Sequence, residues 1–107
     1  MGYPNDQGNP AGAIPVYFGN SVRSIATNQV SVLATATLIA AARAGRSMIT
    51  IVNGGTTDVF VGGSGVTAGT GVLLVGIKGA SITIPTSGAV YGITGGGSQA
   101  VSFLEAY

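Results

Sequence analysis

From Gln29 onward the chain settles into a period of two. In QVSVLATATLIA, Val30, Val32, Ala34, Ala36 and Leu38 alternate with Ser31, Thr35 and Thr37, with Leu33 as an exception. That alternation predicts a half-buried strand, because successive side chains of a strand point to opposite faces. Further runs follow in SMITIVN, DVFV, GVLLV, ASITI, AVYGIT and AVSFLEA, each four to seven residues long and set off by Gly, Pro, Asn or Ser. Short strands with such punctuation predict an all-β fold, a small antiparallel β-sandwich or jelly-roll-like barrel of about seven to eight strands. Asn53-Gly54 reads as a hairpin signal between ITIV and VFV. The run TLIAAARAG is ambiguous. Its alanines and Gly45 fit a short capped helix, while its flanking threonines and the lack of an N-terminal charge weigh against one.

Ahead of the strands, residues 1–13 carry Pro4, Pro10, Asn5, Asn9 and several glycines, a composition that resists helix and sheet alike. They read as an extended N-terminal arm, with residues 14–107 as a single β domain. The arm bears an aromatic ring near its tip and leads into the apolar AIPVYF. Tyr3, Pro4, Ile14, Val16, Tyr17 and Phe18 are therefore the candidate partner-contact residues. The competing reading is an ordinary frayed end, since chain termini are commonly mobile unless tied down.

The glycine-rich VFVGGSGVTAGTG, from Val59 to Gly71, holds a literal match to the dinucleotide fingerprint G-x-G-x-x-G/A at Gly63-Ser64-Gly65-Val66-Thr67-Ala68. That chemistry needs a helix opening at the glycines, to hold the pyrophosphate, and an acidic residue about 20 positions on, to bind the ribose. Here VLLVGIKGASITIP follows, a strand, loop and strand, and the next carboxylate is Glu105. No Gly-Lys-Ser or Gly-Lys-Thr follows to make a phosphate loop. The segment reads as a turn in which glycine supplies positive φ, and no cofactor is expected.

Composition narrows the function. A chain of 107 residues is one domain with a modest core. Charged residues are 7% of it, against about 25% in ordinary soluble domains, while 46% is apolar. A surface so poor in charge favours association over repulsion, which predicts a homo-oligomer. Arg23, Arg43, Arg46 and Lys78 stand scattered against Asp6, Asp58 and Glu105 and read as isolated solvated charges, with no basic patch for nucleic acid. The uncharged stretch from Ser24 to Ala42 alternates polar and apolar residues and is no membrane helix. Met1-Gly2 is not a myristoylation signal, because Asp6 stands where Ser or Thr is required. With no histidine and no cysteine, the usual general base, thiolate nucleophile and commonest metal ligands are missing. The three carboxylates lie far apart in sequence and read as solvated or turn-capping. No catalytic residue and no metal site is expected, and the protein is not expected to be an enzyme.

Four stretches carry a resemblance. Arg46-Ser47 enters a strand, then come Ile51-Val52-Asn53-Gly54-Gly55-Thr56, Val59 through Thr67, and Gly88-Ala89-Val90-Tyr91-Gly92-Ile93. In this order, over about residues 34–105, they resemble the core of small virion structural proteins of tailed bacteriophages. The resemblance implies a capsid decoration or cement role: binding the major capsid protein or another shell protein at the capsid surface or at subunit junctions. It implies synthesis in the bacterial host cytoplasm and a homotrimer suited to threefold positions. The alternative is a receptor- or glycan-binding module of a head fibre or tail, using loops such as Gly62–Gly71. The lack of tryptophan and the scarcity of other aromatic residues count against it.

Overall fold

The computed structural model describes residues 24–107, which form eight strands: β1 (Ile25–Val32), β2 (Thr37–Ala40), β3 (Met48–Asn53), β4 (Val59–Gly62), β5 (Val72–Leu74), β6 (Ser81–Ile84), β7 (Val90–Thr94) and β8 (Gln99–Ala106). They pair antiparallel in two four-stranded sheets, in the orders β1-β8-β3-β6 and β2-β7-β4-β5. Only β4 and β5 are consecutive strands within one sheet; every other connection crosses between sheets. This strand order is an eight-stranded jelly roll, the double Greek key that manages its sheet edges by facing one sheet against the other.

Alternation explains the core. β3 buries Ile49 and Ile51 and β8 buries Val101 and Phe103, against Ile39, Val59, Val61, Leu74 and Val90 from the second sheet. Gly92 lies on the inner face of β7, where a Cβ would stand 2.8 Å from Ile39 Cδ1 and within contact of Val32 and Val59. The two ends of the described segment meet: β1 and β8 pair from Ile25↔Ala106 to Val32↔Gln99, and Ser24 and Tyr107 exchange backbone hydrogen bonds of 2.7 and 2.9 Å.

Two local expectations change, and one ambiguity is resolved. QVSVLATATLIA is not one strand, because residues 33–36 carry the chain from the first sheet to the second. Thr37 fastens that corner, its Oγ1 accepting from Leu33 N–H at 3.0 Å and donating to Thr35 O at 2.8 Å. Beyond it the phase slips at a bulge against β7, so that Leu38 faces out while Ile39 and Ala40 both point in. TLIAAARAG makes no helix; it is β2 followed by a turn closed by Arg46 N–H on Arg43 O, with Gly45 at φ +84°. Asn53-Gly54 is not a hairpin tip, since β3 and β4 belong to different sheets.

Candidate interaction surfaces

The charges come first, because two of them are not solvated as expected. The Arg46 side chain is fully buried between the loop at 41–47 and the loop joining β6 to β7. Its Nε donates to Thr86 O at 2.8 Å, its Nη1 to Ala41 O at 3.0 Å and to Glu105 Oε1 at 3.1 Å, and its Nη2 to Gly88 O. Arg43 Nε reaches the same carboxylate oxygen at 3.0 Å and lies over the Tyr107 ring, 4.0 Å from its centroid. Only a guanidinium has the fan of donors that serves three loop carbonyls and a carboxylate together. Burial is tolerable because every charge has a partner, and the network closes one end of the sandwich. The hint in the sequence is parity: Val101, Phe103 and Glu105 share the inward phase of β8.

Asp58 is a turn residue as read, its Oδ1 accepting from Gly76 N–H at 2.6 Å. Asn53 is fully buried. Its Nδ2 donates to Thr57 O at 2.9 Å, Val75 O at 3.1 Å and Leu74 O at 3.3 Å, while its Oδ1 accepts from Gly55 N–H at 2.9 Å. One amide thus ties β3 to the end of β5. The glycine-rich segment connects β4 to β5 as a hairpin loop, without a helix. Its glycines do not work as expected: positive φ occurs at Gly45, Gly79 and Gly97, none of them in this loop. Gly71 is required for space instead, since a Cβ there would stand 2.7 Å from Phe60 Cβ and 2.8 Å from Val66 Cγ2.

The outward faces of the two sheets differ in chemistry. On the first sheet the register aligns Thr27, Leu104, Thr50 and Thr83 in one row and Gln29, Ser102, Val52 and Ser81 in the next. Thr50 and Thr83 share a hydroxyl hydrogen bond of 2.8 Å. On the second sheet, Ile93, Phe60 and Leu73 form one row and Leu38 and Tyr91 the neighbouring one. Leu38 is 44% exposed and Leu73 51%. Outward positions of a sandwich strand are ordinarily polar; here they are apolar in every strand of the sheet. The hint is that VFV, VLL and VYGI are apolar in both parities.

Among the described residues, one side of the sandwich is open where β6 borders the second sheet. An apolar groove of about 320 Å³ runs there, lined by Ile82 and Ile84 from β6, Val61 and Val72 from β4 and β5, and Ala89 and Val90. Val72 faces the groove and is 59% exposed.

Tyr3, Pro4, Ile14, Val16, Tyr17 and Phe18, with the arm at 1–13, lie outside the described residues, as do Asp6 and Arg23. No protein-family model, curated protein or solved structure matches the chain.

Proposed function

We propose that this protein is a non-enzymatic structural subunit of a bacteriophage virion, attaching as a homo-oligomer, a trimer at threefold positions, to the capsid surface and stabilising the shell. The carrying observation is the uncharged, apolar outward face of the second sheet, Leu38, Tyr91, Phe60, Ile93 and Leu73. A face of this kind on a chain with so little charge marks a protein contact surface. Two supports stand beside it: the resemblance carried by Arg46-Ser47 through Ile93, and the jelly-roll strand order, an architecture used in shell proteins among others. Both described carboxylates are held by the fold, Glu105 by two arginines and Asp58 by a backbone amide.

The test is co-sedimentation with purified capsids, comparing the native chain with Phe60→Lys and Leu73→Glu. The native protein is expected to sediment with particles at a fixed copy number, and each variant to lose at least tenfold in occupancy while keeping its β-sheet spectrum. Native protein left in the supernatant, or variants that bind as well as it does, would overturn the reading. Binding to immobilised glycans without particle binding would favour the receptor-binding alternative.

A further inference from the structure

β6 ends the first sheet, with one edge that no described strand covers. Asn53 N–H bonds Ala80 O at 2.7 Å, and the register continues through Ile51↔Ile82 and Ile49↔Ile84. Those residues aim their backbone groups at β3, so the N–H and C=O of Ser81 and Thr83 face away, toward an edge with no strand partner among the described residues. Beneath that edge lies the apolar groove, onto which Ile82 and Ile84 project. An edge of unpaired backbone over an apolar trough is what strand addition requires.

The sequence ahead of β1 has a pattern that suits this edge. In Ile14-Pro15-Val16-Tyr17-Phe18, the apolar Ile14, Val16 and Phe18 are two apart, the spacing that would put them on one face of an added strand. Pro15 decides the direction. With Ile14, Val16 and Phe18 facing the groove, an antiparallel strand would point the nitrogen of Pro15 at β6, where a donor is needed and proline has none. A parallel strand turns Pro15 and Tyr17 to the outer edge and presents the N–H and C=O of Val16 to Ser81 O and Thr83 N–H. Proline is tolerated on that outer side of an edge strand.

Geometry also decides whose strand it is. A parallel strand would leave Phe18 beside Ile84, at the end of the sheet where β1 begins but four strand spacings away, about 19 Å at about 4.8 Å each. The six residue steps from Phe18 to Ser24 reach about 20–22 Å when fully extended. That leaves no slack to round the loops held by Arg43, Arg46 and Tyr107, and Gly19-Asn20-Ser21 is turn-forming sequence. We infer that residues 14–18 are donated to the β6 edge and groove of a neighbouring copy, with Ile14, Val16 and Phe18 over Ala80, Ile82 and Ile84, so that copies are linked by exchanged strands.

The inference rests on the self-association proposed above, and the two fail separately. The chain has no cysteine, so Tyr17→Cys and Thr83→Cys, two outward positions side by side in this register, give an unambiguous cross-link. The two single variants are unfolded together, refolded as a mixture and mildly oxidised. The expected result is a disulfide-linked dimer joining position 17 of one chain to position 83 of another, identified by peptide mass and at least fivefold above either variant alone. Adding Val16→Asp to the first variant should abolish it, whereas Pro15→Ala should not. A 17–83 link that forms only when both cysteines are placed in one chain, and then only within single chains, or no dimer above the single-variant level, overturns strand exchange. Particle binding that persists without the link leaves the proposed function standing.

Discussion

Arg46 is a buried charge on which two loops depend. Its donors hold three carbonyls from two loops and the buried carboxylate of Glu105. Arg46→Met should cost about 3–5 kcal/mol in a urea unfolding curve, because it orphans three carbonyls and leaves the buried carboxylate to the part-exposed Arg43 alone. Arg43→Met should cost under about 1 kcal/mol, since its side chain is 39% exposed and solvent screens the pair. A smaller loss at position 46 than at position 43 would contradict this account of the network. Glycine gives a second contrast. Gly71→Val should destabilise by more than about 1 kcal/mol through overlap with Phe60 and Val66. Gly63→Ala, with nothing within 4 Å of the added carbon and no positive φ, should stay within about 0.5 kcal/mol. Titration calorimetry with NAD and ATP should give no binding heat for the native loop.

At the level of elements, what the sequence disclosed was local and what it withheld was partnership. The runs SMITIVN, DVFV, ASITI, AVYGIT and AVSFLEA all became strands because a two-residue period and flanking turn residues are properties of a short window. The crossing at 33–36 left only Leu33 as a sign, since the alternation resumes at once beyond it, and the bulge at Ile39 is where the phase changes. Asn53 was misread for a related reason. Asn-Gly favours a tight hairpin only when the flanking strands pair with each other, and here they join different sheets. Its amide links residues 21 and 22 apart, which no local pattern reports. Asn53→Ala should therefore lower stability by about 1–3 kcal/mol, more than a turn asparagine would, with the loss visible in the urea midpoint. The candidate faces follow the same rule: apolar residues of both parities were visible in VFV and VYGI, but their alignment across four strands depends on register.

At the scale of the whole molecule, the apolar face and the scarcity of charge lead to one expectation about mass. Light scattering at micromolar concentration should report a closed oligomer near three times 10.4 kDa, and a clean monomer would sink the assembly proposal. Phe60→Lys should reduce that mass while shifting the melting temperature little, since the ring lies outside the core. The meeting of Ser24 with Tyr107 bears on how the protein is made. Its longest strand pair joins the first described strand to the last, so β1 has no sheet to join until β8 has left the ribosome. Such long-range closure makes folding slow, and until then a nascent chain holds unpaired edges and apolar strands open to other chains. Arrested chains ending before Gln99 should accordingly be cut by protease all along their length. Chains released from the ribosome should gain resistance in one step, leaving no half-folded species for a chaperone to hold.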